Sequence, residues 1–118
     1  MIKKLLLTAL FTLFLQSQVD AKISYYGDYF HGRKTANGER FDMNAFTAAH
    51  KTLPFNTLVK ITVEKKWKDI KYNISIIVRI NDRGPYIKGR KLDLSKKAFQ
   101  TLMPLSKGVI TNYKLEIL

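Results

Sequence analysis

The stretch LVKITVEKKWKDIKYNISIIVRI, Leu58 to Ile80, decides the fold. In its first part Leu58, Lys60, Thr62 and Glu64 alternate with Val59, Ile61 and Val63. A period of two is the mark of a strand with one buried face. Tyr72 to Ile80 repeats the pattern, so the polar Lys65 to Lys71 reads as a hairpin connection, with Trp67 a loop-tip ring at the surface. Before this hairpin, Lys22 to Tyr26 reads as a short strand. Gly27 to Gly38 is a long aromatic loop whose turns are marked by Gly32 and Asn37-Gly38. Asp42 to Ala49 has helix-tolerant residues, with Asp42 or Asn44 placed to cap a single turn. After the hairpin, Leu94, Ala98, Phe99 and Leu102 fall at helical spacing, Asp93 stands ready to serve the helix start, and Pro104 ends it. Val109 to Ile110 and Tyr113 to Leu118 make one or two closing strands. About six strands and one or two short helices give a mainly β domain. A sheet this small, without disulfides, does best by closing on itself into a barrel, which exposes no edge.

The N-terminus has a different composition. Lys3 and Lys4 precede an apolar run, Leu5 to Leu15, and Val19-Asp20-Ala21 ends in small residues. That is the three-part build of a secretory signal peptide, and the run is well short of the roughly 20 residues that span a bilayer. A cleaved leader at 1–21 and one domain at 22–118 are therefore expected, rather than a retained anchor. Loss of Lys3, Lys4 and Asp20 leaves 19 basic and 8 acidic side chains. In the cytosol such an excess would suggest nucleic acid. Export argues against that partner and leaves wall peptides, teichoic acids or lipid head groups as the polyanions to be met. Cysteine is absent, which excludes disulfides and lipidation of an N-terminal cysteine.

The segment RINDRGPYIKGRKLDLS, Arg79 to Ser95, stops a strand with an acid, turns on Gly84-Pro85 and places a second acid before the helix. Cleaving a sugar bond by acid-base chemistry requires a partly desolvated carboxyl and often a second carboxylate. A pair drawn from Glu39, Asp82 and Asp93 meets that need, although Asp82 is also ordinary turn chemistry and Asp93 an ordinary helix start. His50, between small residues and a turn, reads as a hydrogen-bonded structural group. His31 has no partner at metal-ligand spacing, so no metal or other cofactor is expected. No phosphate loop, G-x-S-x-G elbow or Cys-His pair is present.

Taken together, Ser24-Tyr25-Tyr26-Gly27, His31 to Asp42, Thr47-Ala48-Ala49-His50, Leu53 to Thr57, Val78 to Pro85 and Asp93-Leu94-Ser95 resemble the ordered blocks of the rare lipoprotein A (RlpA) family of lytic transglycosylases. The match runs from about Lys22 to Leu118. The resemblance implies a six-stranded double-psi β-barrel acting on peptidoglycan glycan strands. Cleavage between N-acetylmuramic acid and N-acetylglucosamine would proceed without water and leave a 1,6-anhydro end. Carried onto these residues, it implies Asp82 as the acid-base group and Glu39 as its partner, with His50, Tyr25, Tyr26, Asp93 and Arg83 binding substrate. Asp93 falls at the position of the acid in related expansins and cellulases. Expected partners are the glycan strand and cell-division or wall-remodelling proteins, not nucleic acid, and the chain is expected to be a monomer. The chain departs from the family in having no lipobox cysteine, which points to a soluble periplasmic or secreted protein, and no C-terminal peptidoglycan-binding module, which removes the basis for expecting septal targeting. The hairpin Lys65 to Asn73 also looks longer than is usual in the family. The alternative to an enzyme is an expansin-like module that binds or loosens the wall without cutting it, with a water-admitting hydrolase third.

Overall fold

A computed structural model describes residues 21–118, so the leader expected at 1–21 lies almost wholly outside the described residues. In chain order the elements are β1 (Lys22–Tyr25), β2 (Thr47–Ala49), β3 (Leu58–Trp67), β4 (Ile70–Asp82), β5 (Arg90–Leu94), the helix α1 (Lys96–Leu102) and β6 (Lys114–Ile117). Two single 3₁₀ turns, Asp28–Phe30 and Leu105–Lys107, complete the set. The strands form one six-stranded sheet in the order β1-β5-β2-β4-β3-β6. Within it β1 and β2 run parallel to β5 and β4, and the other pairs are antiparallel. The sheet curls until Ile23 in β1 exchanges two backbone hydrogen bonds, of 3.0 and 2.8 Å, with Ile110, which precedes β6. Val109 to Ile110 thus contributes a single bridge instead of the expected strand.

The apolar phase of β3 and β4 makes the core. Val59, Ile61 and Val63 pack with Ile76, Val78 and Ile80, and α1 adds Ala98, Phe99 and Leu102. Ser95 caps α1, its Oγ accepting from the Ala98 amide at 3.2 Å while donating to the Ala45 carbonyl. Asp93, expected to serve that helix start, belongs to β5 instead.

Two other expectations are corrected. Lys65 to Lys71 is not a loop: β3 and β4 continue pairing to Trp67↔Ile70, and only Lys68 and Asp69 turn the chain. Both have positive φ, 46° and 65°, the handedness that matches the twist of a two-residue hairpin. The ladder extends beyond the barrel with most of its residues exposed, so burial does not mark this part off from a surface loop in the sequence. Asp42 does organise a turn, with Oδ1 accepting from the Asn44 amide at 2.9 Å, but Thr47–Ala49 is strand, not helix. All three of these residues are buried between β4 and β5, which explains their small size and lack of alternation.

Candidate active site

Sheet register places the site. Ala48 pairs with Ile80, but the next residue, Ala49, pairs with Asp82, so Asn81 is an extra residue in β4. A bulge of this kind turns the following side chain to the other face of the sheet. Ile80 therefore points into the core while Asp82 joins Ala49. On its other side Ala49 pairs with Asp93, and Asp93 pairs with Ser24. The result is a row across four neighbouring strands, Ser24, Asp93, Ala49 and Asp82, with two carboxyls either side of one methyl group. Ile23, Leu94 and Ala48 beside them point the opposite way, into the core.

Three donors hold Asp82. Tyr26 Oη donates to Oδ2 at 2.5 Å, and the backbone amides of Ala36 and Arg83 donate to Oδ1 at 2.8 and 2.9 Å. The Tyr26 ring stacks on Phe41 at 4.3 Å, edge-on to Phe30 at 5.6 Å. Burial and the Asp82 carboxylate push the Tyr26 phenol well above its ordinary range, so it remains a donor. Asp93 accepts from Ser24 Oγ at 3.1 Å. Burial, with a smaller push from the Asp82 charge, raises Asp93 to about 6, against the opposing pull of Ser24 and Arg90.

Glu39 has a different environment. Its two oxygens accept from both terminal nitrogens of Arg79 at 2.6 and 2.8 Å, and Asn37 Nδ2 donates at 2.7 Å. These hydrogen bonds, from Arg79 first and Asn37 next, lower it to about 2. An acid held that low is ionised at any working pH and does not donate a proton. Its geometry suits positioning: Glu39 closes the Thr35–Glu39 turn, where the Thr35 amide donates to the Glu39 carbonyl at 2.7 Å, and that turn presents the Ala36 amide to Asp82. Gly38, at φ 91°, makes the reversal possible.

Asp82 and Asp93 open onto a cleft of about 690 Å³. Phe30 and Tyr86 stand in its walls with Arg83, Lys34 and Arg90, and Tyr86 is 81% exposed. Tyr25 reaches the cleft edge, but its ring packs 4.6 Å from Phe99 and its hydroxyl donates to the Leu105 carbonyl at 3.1 Å. Arg83 lines the cleft with its guanidinium 4.1 Å over the Phe55 ring. His50 lies beside Asp82 through the backbone, its amide donating to the Asp82 carbonyl at 3.2 Å. Its Nδ1 accepts from the amides of Thr52 and Leu53 at 3.1 and 2.9 Å. Burial, with help from nearby cations, lowers His50, so its imidazole favours the neutral form. The lining of the cleft thus includes Asp82, Asp93, Tyr25, Tyr26 and Arg83 but not Glu39 or His50, which hold adjoining turns. Sequence reading passed over Ser24, Ala49, Phe30 and Tyr86. Tyr86 carried one readable signal, an aromatic directly after a Gly-Pro turn that follows an acid.

Comparison with known proteins agrees with this fold. Residues 18–112 match the family described as "Lytic transglycolase". An "Endolytic peptidoglycan transglycosylase RlpA" of Neisseria meningitidis is 54% identical over 85 residues, covering 72% of this chain and 33% of the relative. One from Helicobacter pylori is 47% identical over 94 residues, covering 80% and 28%. The chain spans a quarter to a third of the length of such relatives. Among solved structures, the Streptomyces papain inhibitor superposes with a TM-score of 0.59 over 82% of this chain and 90% of that one, at 24% identity, a likeness of fold. By sequence over most of its length and by its six-stranded architecture, the chain belongs to the lytic transglycolase family of double-psi β-barrel proteins.

Proposed function

We propose that this domain cleaves peptidoglycan glycan strands between N-acetylmuramic acid and N-acetylglucosamine as an endolytic transglycosylase, leaving 1,6-anhydro ends. The observation that carries the reading is the pair of carboxyls flanking Ala49 at the floor of an open cleft, one raised to about 6 and the other accepting three hydrogen bonds. Two acids whose surroundings set them to different tasks are the usual basis of acid-base division of labour. Asp93, protonated, gives its proton to the glycosidic oxygen as the C1–O bond breaks. The muramic 6-hydroxyl oxygen then closes on C1, and Asp82 takes the hydroxyl proton. The proton returns from Asp82 to Asp93 through solvent once product leaves, so no water is consumed. Tyr26 and the Ala36 and Arg83 amides hold Asp82 in place, while Glu39 and Arg79 fix the turn that carries Ala36. Phe30 and Tyr86 offer ring faces to the sugars.

Names of relatives that act on peptidoglycan support the substrate class, and the leader-like N-terminus with a strongly basic balance supports export to the periplasm or beyond. Digestion of purified peptidoglycan, read by mass spectrometry of the released fragments, tests the proposal. Anhydro-terminated fragments are expected. Reducing ends would mean that water is the nucleophile, and an absence of fragments would leave a wall-binding module.

A further inference from the structure

The β3–β4 hairpin carries a second surface, at the opposite end of β4 from Asp82. Ile70 and Asp82 are the two ends of the 13-residue β4, roughly 40 Å apart at the rise of a strand. Alternation continues along the ladder beyond the core: the phase that buries Val63 against Ile74 runs on to Lys65↔Tyr72 and Trp67↔Ile70. Past the barrel this phase has nothing to pack on, and Trp67, Ile70 and Tyr72 are 61, 62 and 45% exposed. Lysine surrounds them, at 65, 66, 68 and 71, against Glu64 and Asp69 alone. Lys68 Nζ sits 4.6 Å over the Trp67 ring. Beside the tip lies a cleft of about 600 Å³ lined by Lys65, Lys66, Lys71 and Lys114, with Glu64 its one acid.

We propose that this tip docks on an anionic phospholipid bilayer, with Trp67, Ile70 and Tyr72 entering the interface and the lysine cleft taking phosphate head groups. The shape and chemistry select this occupant. A projecting apolar ridge needs an apolar phase to enter, which a bilayer supplies and a sugar or teichoic acid chain does not. Indole and phenol rings favour the depth where hydrocarbon meets head groups, and long lysine stems carry their charge outward to the phosphates. Lysines near an anionic leaflet add to binding one by one. Docked this way, Asp82 stands at the far end of β4 from the lipid.

Trp67 is the only tryptophan, so its emission reports on the tip alone. This matters because the apolar run Leu5 to Leu15 would bring the full chain to vesicles by itself. Titrating the full chain with phosphatidylglycerol/phosphatidylethanolamine vesicles should shift Trp67 emission to the blue and expose it to quenching by brominated lipid. Lys66→Ala and Lys71→Ala should each weaken the partition that this shift reports by roughly fivefold. Ile70→Ser with Tyr72→Ser should abolish the shift while circular dichroism stays unchanged. Unshifted emission on anionic vesicles, even where the chain co-sediments, overturns the proposal. So does an equal shift on phosphatidylcholine, or a shift produced by teichoic acid or glycan fragments and not by lipid. None of these readouts depends on lytic activity.

Discussion

Asp93 lies where burial and a neighbouring carboxylate both resist its ionisation, and this has a signed consequence for stability. Its folded value is raised from 3.8 to about 6, so its favourable contribution is complete below the unfolded value and lost as pH rises through about 6. Wild type should therefore weaken between pH 4 and 7 by on the order of 2 kcal/mol, and Asp93→Asn should remove that decline in urea titrations across the range. The alkaline limb of activity should follow the same ionisation, with Asp93→Asn lowering turnover by about 10²- to 10⁴-fold. Asp82→Asn should cause a loss of similar size in anhydro-product release while its partners Tyr26, Ala36 and Arg83 stay in place. Glu39 runs the other way. Lowered from 4.5 to about 2, it contributes above its unfolded value and fails only as pH falls toward 2. Both acids of the cleft were legible in the sequence as carboxyls at element ends. Their alignment was not, because it depends on a bulge at Asn81 that exists only against β2. Glu39 was legible as an acid beside a cation, but its clamp on Arg79 is a contact across 40 positions in the chain, which spacing cannot show.

At the scale of elements, the 32–41 loop and the long hairpin are the parts most open to test. Glu39→Gln breaks a bidentate ion pair and frees the turn that carries the Ala36 amide. Faster hydrogen exchange at Ala36 and Glu39 is expected, with activity down about tenfold and the exchange of β3 and β4 amides unchanged. At the hairpin, Lys68 and Asp69 both hold positive φ, a region that costs a side-chain-bearing residue about 1 kcal/mol or more. Lys68→Asn with Asp69→Gly should recover about 1 kcal/mol in chemical denaturation. The core portions of β3 and β4 were readable because one face is buried, and α1 because its apolar residues recur at helical spacing. Two strands escaped. β2 is three residues of small side chains covered on every side, and β5, Arg90–Leu94, mixes its cations with an acid that serves the cleft. Charged residues facing the cleft there interrupt the pattern that would have revealed the strand.

At the scale of the whole described domain, stability rests chiefly on the main core shared by the curled sheet and the seven-residue helix α1. Phe99 is its largest fully buried side chain. Phe99→Ala should cost about 3–5 kcal/mol, a large part of the ~5–15 kcal/mol that holds a domain together, and should show as a matching loss in calorimetry or urea titration. Sequence alone pointed to a closed barrel, and the curvature and core agree. How the closure is made was hidden, because the Ile23–Ile110 bridge joins positions far apart in the chain through a single pair of residues. That bridge gives the barrel a seam. Elsewhere at least two rungs join neighbouring strands, but along this line a single backbone rung, helped by the Tyr113 hydroxyl on the Ala21 carbonyl, does the work, so breathing of the native state should begin there. β1 and the Ser24 end of the acid row would part from the closing segment before the long ladder loosens at all.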